Sequence, residues 1–171
     1  MSARSEVLRV GLISDTHGLL RPEALEVLRG SDCIIHAGDI GDPEILKRLA
    51  GLAPLTAVRG NNDRGADYAD VPETAVLEAG GVRILVLHDL AELAFDRQAA
   101  GYQAVISGHS HRPRCEERAG VLYVNPGSAG PRRFSLPVSV GRLLIEAGRL
   151  RAELVELSIA AAPRVKAARR R

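Results

Sequence analysis

Short apolar bursts, broken by Gly, Pro, Asp and Asn, set the rhythm of this chain, and their lengths change half-way along it. Val7 to Ser14 is an apolar, β-rich run. Pro22 to Leu28 has helix composition with Pro in its first turn. Cys33 to His36 reads as a short buried strand, and Asp42 to Leu49 as a helix with Asp42 at the N-cap and Pro43 at the first helical position. Leu55 to Val58 is a further strand. Strands alternating with helices predict a parallel sheet with helical crossovers. From Thr74 onward the pattern is mostly strands. Thr74–Glu78 and Val82–His88 flank Ala79-Gly80-Gly81, Arg114–Arg118 and Val121–Asn125 flank Ala119-Gly120, and Pro137–Glu146 and Arg149–Leu157 flank Ala147-Gly148. These are three hairpin signals. Ala104 to Ser107 adds a buried strand, and a short helix is expected over Asp96 to Ala100. With no repeat or interior linker, the expectation is one α/β domain over residues 1–171, built on two sheets.

Composition narrows the class. Apolar residues make up 46% of the 171, which suits a packed globular chain, and aromatics only 3%, so the core must be Val, Leu, Ile and Ala. No apolar run reaches 18 residues, so no transmembrane helix is expected, and Met1 to Glu6 has no signal-peptide character. Two cysteines, Cys33 and Cys115, form no disulfide framework, and the cytoplasm is the expected compartment. The formal charge of +2 is set by the tail. Arg164, Lys166, Arg169, Arg170 and Arg171 supply five of the 23 cations, leaving 18 against 21 acids, a net of −3, over residues 1–160. The tail over 161–171 reads as a mobile basic terminus, and the mildly acidic body speaks against a nucleic acid bound in a groove. A homo-oligomer stays open.

Residue types that bind metals gather just after the strands: Asp15-Thr16-His17, His36-Ala37-Gly38-Asp39, Gly60-Asn61-Asn62-Asp63, His88, and Gly108-His109-Ser110-His111. Loops at the carboxyl ends of parallel strands form a ligand crevice. Carboxylate, amide and imidazole together suit a catalytic metal pair. The spacing of two within Asp15/His17 and His109/His111 would turn both side chains of a pair to one side of an extended loop. Singly, Asp15, Asp39 and Asn61 would read as helix N-caps. Beside four of the chain's five histidines, ligation is the better reading. His36, at the end of a buried strand, reads as a core or supporting histidine, and Asp63 as a brace for its loop.

Asp-x-His, Gly-Asp, Gly-Asn-x-Asp, a lone His and Gly-His-x-His, in this order, resemble the calcineurin-like metallophosphoesterase superfamily. Gly108-His-Ser-His-Arg-Pro113 followed by Asn125-Pro-Gly-Ser128 is similar to its small bacterial and archaeal phosphodiesterase branch. The resemblance runs from about Val10 to Arg133. It implies a four-layer α/β/β/α sandwich of two mixed sheets flanked by helices. It implies two divalent metal ions, Mn²⁺ foremost, with Fe, Ni or Zn also suited. Asp15, His17, Asp39 and His111 would hold one ion, and Asp39, Asn61, His88 and His109 the other, Asp39 bridging. A hydroxide shared by the metals would attack phosphorus. The resemblance also places backbone N–H groups of Asn125–Ser128 against phosphate.

Two positions depart from the family. Many members have His after Gly-Asn, where it can protonate the leaving oxygen. Here Asn62 stands there and can orient phosphate but not give up a proton, so good leaving groups should be preferred. Asp89 follows His88 where Gly is common, and it would either hydrogen-bond a ligand histidine or face solvent. Arg64, Arg132 and Arg133 are candidate phosphate contacts. Only twenty residues separate His88 from His109, too few for a lid domain, which predicts an open site. The competing readings are a nuclease or cyclic-nucleotide hydrolase, and a non-catalytic protein-binding scaffold like the small subunit of the retromer coat.

Overall fold

The structure, a computed structural model, describes residues 6–94 and 100–160. The strands are β1 (Leu8–Ile13), β2 (Cys33–His36), β3 (Leu55–Ala57), β4 (Thr74–Ala79), β5 (Val82–Leu87), β6 (Ala104–Ile106), β7 (Arg114–Arg118), β8 (Val121–Asn125), β9 (Ser139–Glu146) and β10 (Arg149–Glu156). The helices are α1 (Pro22–Leu28) and α2 (Glu44–Ala50). They form two five-stranded mixed sheets, ordered β10-β9-β1-β2-β3 and β4-β5-β6-β8-β7. Strands β1, β2 and β3 run parallel, as do β5, β6 and β8, with antiparallel hairpins at the edges.

Period-two alternation divides the apolar side chains among three layers. Leu12 and Ile35 from the first sheet meet Ile84, Val86 and Ile106 from the second, and these residues form the core between the sheets. Their neighbours Ile13 and Ile34 point the other way, onto Ala24 and Leu28 of α1 and Ile45 and Leu49 of α2. Leu85, Leu87, Val105 and Tyr123 cover the outer face of the second sheet together with Leu90 and Leu93. Leu90–Glu92 is a 3₁₀ turn that the hydrophobic pattern does not announce. The helix expected over 96–100 lies outside the described residues except for Ala100, as does the basic tail. Among the described residues no helix is long and apolar enough to cross a membrane.

Helix α2 starts one residue later than expected, with Pro43 in the N-cap position and Asp42 Oδ1 accepting from Glu44 N–H at 2.9 Å. All three hairpins close through two residues with positive φ: Gly80-Gly81, Ala119-Gly120 and Ala147-Gly148. That is the mirror-image turn whose twist matches a right-handed strand pair.

Candidate metal centre

Five loops converge at one edge of the two sheets, each leaving the carboxyl end of a strand. The chain after β1 and the chain after β2 are stitched together, Asp15 N–H to Gly38 O at 2.9 Å and His17 N–H to Asp39 O at 3.0 Å. Gly108 N–H, after β6, donates to His88 O, after β5, at 2.9 Å. His88 then crosses between the sheets, its Nδ1–H donating to Ala37 O at 2.7 Å. A Cβ on Gly38 would lie 2.6 Å from His88 Nδ1, and its φ of 94° suits only glycine without strain. At Gly108 a Cβ would stand 2.7 Å from Asp15 Oδ2.

Asp15, His17, Asp39, His109 and His111 all have positive φ, between 44° and 66°. This corrects the expectation that each Asp15/His17 and His109/His111 pair converges by alternation in an extended loop. The chain instead reverses hand at both members of each pair. Such a backbone costs of order 1 kcal/mol or more per residue, and Asp and His are among the residues that tolerate it best.

The converging atoms form two overlapping groups, Asp15/His17/His111 and Asp15/Asp39/His88, each able to bring one donor per residue within 4.8 Å of the others. His111 Nε2 lies 3.2 Å from Asp15 Oδ1 and 3.3 Å from His17 Nε2. Asp39 Oδ2 stands between His17 Nε2 at 3.7 Å and His88 Nε2 at 3.4 Å. Both carboxylates thus lie between neighbouring imidazoles. His109 belongs to neither group. Its Nδ1 faces Asn61 Oδ1 at 3.2 Å and its ring meets His88 edge-on at 5.2 Å.

Fixed donors aim the carboxylates. Ser14 Oγ–H (2.7 Å) and His109 N–H (3.1 Å) both donate to Asp15 Oδ2, leaving Oδ1 toward the histidines. Asn62 donates its backbone N–H to Asp39 Oδ1 at 3.0 Å and its side-chain N–H to Oδ2 at 2.8 Å. One N–H of the amide expected to meet phosphate is therefore spent on Asp39. Asp63 braces the Asp39 loop, taking N–H groups of Ile40, Gly41 and Gly60 at 2.8–3.0 Å. His36 is fully buried: Gly38 N–H donates to Nδ1 at 3.2 Å, so Nε2–H donates to Thr16 Oγ1 at 2.9 Å, which donates on to Ile40 O at 2.8 Å. Burial lowers its pKa to about 4, so it is a neutral relay outside the ligand groups.

In the Asn125–Ser128 segment the Gly127 N–H donates to Asn125 Oδ1, so this group is used internally and does not face phosphate. The segment works from beneath. Asn125 Nδ2 holds Gly108 O at 2.6 Å, and Ser128 Oγ holds Asp15 O at 2.9 Å. Sequence reasoning missed Ser14 and Ser128 as supports. The available signal was the small hydroxyl residue directly before Asp15. Arg132 and Arg133 are exposed on the loop after this segment. The charge of Arg133 reaches His17, whose pKa is lowered by burial first and by Arg133 and His111 after it, against Asp39 and Asp15. Arg64 Nε–H caps Asn61 O at 2.9 Å. Asp89 Oδ1 caps the 3₁₀ turn through Ala91 N–H, while Oδ2 lies 3.6 Å from His109 Nε2.

The donor set fits a cation. Asp15 Oδ1 and His88 Nε2 are buried without a hydrogen-bond partner, 4.0 Å apart. An unsatisfied buried polar group costs about 1–3 kcal/mol, and positive charge bound beside them would relieve both. Burial disfavours the His88 imidazolium, yet Asp39, the Ala37 carbonyl and Asp15 outweigh it and raise the pKa to about 9. Burial likewise opposes the Asp39 carboxylate, but His88 and Asn62 hold its pKa well below the ordinary range. The pocket is built for positive charge.

The comparisons agree with this geometry. Residues 8–148 match the family model for the calcineurin-like phosphoesterase superfamily domain. A probable metallophosphoesterase of Methanothermobacter thermautotrophicus is 35% identical over 158 residues, 85% of this chain and 91% of its own. A solved archaeal phosphodiesterase shares the fold at a TM-score of 0.71 and 25% identity, over 86% of this chain and all of that one. Vacuolar protein sorting 29 from Cryptosporidium parvum shares it at a TM-score of 0.72 and 20% identity, over 90% and 99% of the two chains. Two mixed sheets, a ligand-rich edge and this match over most of the chain establish that it belongs to the calcineurin-like phosphoesterase superfamily.

Proposed function

We propose that the protein is a metal-dependent phosphodiesterase acting with two divalent cations. The observation that carries this reading is the pair of overlapping donor groups around Asp15 and Asp39, with Asp15 Oδ1 and His88 Nε2 buried and unbonded. The reading assigns Asp15, His17, Asp39 and His111 to one cation and Asp39, Asn61, His88 and His109 to the other. Mn²⁺ is the first choice, and Fe, Ni or Zn suit the same mixed donors. Bound there, such a pair acidifies water to a nucleophile at neutral pH and offsets charge on the phosphoryl oxygens.

The chain's own residues orient and support. Ser14 and the His109 N–H turn Asp15 Oδ1 into the site, and Asn62 fixes the Asp39 carboxylate. Neutral His36 holds Thr16 and the Asp39 turn without competing for charge. Arg132 and Arg133, exposed on the loop after Ser128, are the candidate contacts to phosphate oxygens of a substrate, and the charge of Arg133 on His17 supports the second of them. With Asn62 where a proton donor could stand, the leaving oxygen departs unprotonated, which favours esters of acidic alcohols. The archaeal phosphodiesterase among the structural relatives supports a diester, and a cytoplasmic setting belongs to the same reading.

The test is hydrolysis of bis(p-nitrophenyl) phosphate by metal-stripped protein with Mn²⁺ added back, beside Asp39→Asn. Turnover that needs Mn²⁺ and disappears in the variant is expected. A folded protein inactive with every divalent metal would overturn the reading in favour of a non-catalytic protein-binding role on the same fold.

A further inference from the structure

A small cavity opens on the side of His109 away from the carboxylates, between the ends of β6, β7 and β8 and the 3₁₀ turn at Leu90. Its volume is about 160 Å³. An apolar cavity of about 150 Å³ holds one benzene ring. Leu90, Tyr123 and Val124 supply apolar wall, and His109 is the partition shared with the metal centre. Of the acids that line it, Glu116 is paired with both Arg114 and Arg118, while Asp89 accepts from Ala91 N–H and lies 3.6 Å from His109 Nε2. The Arg118 guanidinium also lies over the Tyr123 ring, 4.9 Å from its centroid. The hollow on the other side of His109 differs, being lined by Arg59, Asn61, Glu73 and Glu92.

We infer that this cavity is the subsite for a single aromatic ring carried by the ester group of the substrate. The inference rests on the phosphoesterase reading above and names the substrate class, aryl phosphate esters. Three observations on different residues converge. The volume matches one ring. The walls offer apolar contact from Leu90, Tyr123 and Val124, and the carboxylates of Asp89 and Glu116 disfavour an anion, so a neutral planar group is favoured over an anionic one. And the site lacks a proton donor at Asn62, which a phenol-type leaving group does not need: its pKa, near 10 as for the tyrosine phenol, lets it depart as the anion. In that step water oxygen forms the new bond to phosphorus and the aryl oxygen leaves with the electron pair of the broken P–O bond. The proton from water passes to solvent.

The test compares binding of phenylphosphonate and methylphosphonate, whose P–C bonds resist hydrolysis, to the full Mn²⁺-loaded protein by titration calorimetry. Burying a ring should favour phenylphosphonate by about tenfold or more. Leu90→Trp, which fills the cavity from a partly exposed position, should erase that preference, and Leu90→Ala, which removes a wall without adding bulk, should reduce it. Equal affinities in the parent protein, or a preference unchanged in both variants, would overturn the inference. Failure of the two readings is distinguishable. Mn²⁺-dependent hydrolysis without ring preference rejects the subsite alone, whereas ring preference without any hydrolysis rejects the esterase reading and keeps the subsite.

Discussion

Replacing Asp63 tests how the metal centre is held. Asp63 is 3% exposed. It accepts from three backbone N–H groups, with Ile40 N–H shared between both oxygens at 2.8 and 3.0 Å, Gly41 at 3.0 Å and Gly60 at 2.8 Å. Hydrogen bonds to a charged group contribute about 1.5–3 kcal/mol each, and stranding a buried donor costs about 1–3 kcal/mol. Asp63→Ala strands three donors, of which the one on Gly41 can reach water. The expected loss is therefore about 3–6 kcal/mol, a large part of the 5–15 kcal/mol typical of a domain. Asp63→Asn keeps one acceptor oxygen but turns an NH₂ toward an N–H, and should cost about half as much. Urea unfolding of the metal-free proteins, read by circular dichroism, measures both. The same loop holds Asp39 at a φ of 55°, so metal affinity should fall about 10–100-fold in the alanine variant. A loss below about 1 kcal/mol, or equal losses for alanine and asparagine, would refute the idea that the ring of N–H donors anchors this loop.

Further outcomes follow from other parts of the structure. Mn²⁺ at a hundredfold excess over its dissociation constant should stabilise the stripped protein by about 2.7 kcal/mol, a rise in Tm of about 5–10 °C, and Asp39→Asn should cut the rise sharply in a thermal melt. His36 has a pKa of about 4 in the fold against 6.5 in the unfolded chain, so the unfolded state binds the extra proton first as pH falls. Stability of the metal-free protein should drop by about 2 kcal/mol between pH 6.5 and 5 on this account, and His36→Gln should flatten that slope in urea titrations. Ala119 and Ala147 sit at φ 49° in mirror-image hairpin turns. Ala119→Gly and Ala147→Gly should each stabilise by about 0.5–1 kcal/mol, and a destabilised variant would contradict the turn assignment.

The strand bounds were legible because alternation and Gly-containing turns are local signals. Helix α1 was expected over Pro22–Leu28 and lies there, and β2, β7 and β8 match residue for residue. The loops that carry the candidate metal ligands were legible because each follows a strand. What stayed hidden depends on residues far apart in the chain. Nothing near Asn125 says that its amide will reach the Gly108 carbonyl, or that Gly127 N–H will be consumed by Asn125 itself. The 3₁₀ turn at Leu90–Glu92 carries too few residues for a period to register, and the Asp89 capping bond that starts it looks, in sequence, like any acid after a histidine.

The left-handed backbone at Asp15, His17, Asp39, His109 and His111 shows why this edge needs so much support. Each of these residues would relax if its loop were free, and the summed strain is of order several kcal/mol. The supports are matched to the strained residues: Ser128 holds the carbonyl of Asp15, Asp63 holds the N–H that follows Asp39, and Asn125 holds the carbonyl that precedes His109. His36 and Thr16 close the remaining side of the Asp39 turn through the N–H of Gly38 and the carbonyl of Ile40. These bonds run between groups of the chain itself, so the donors are braced by the protein and little ordering entropy should be lost when a cation binds. Loosening any support should then weaken the site in proportion to the strain it contains. Ser128→Ala, at a residue outside both donor groups, should lower metal affinity through Asp15 while leaving the hydrogen bonds at Asp39 intact. An unchanged affinity in calorimetry would mean that Ser14 and the His109 N–H suffice to hold Asp15.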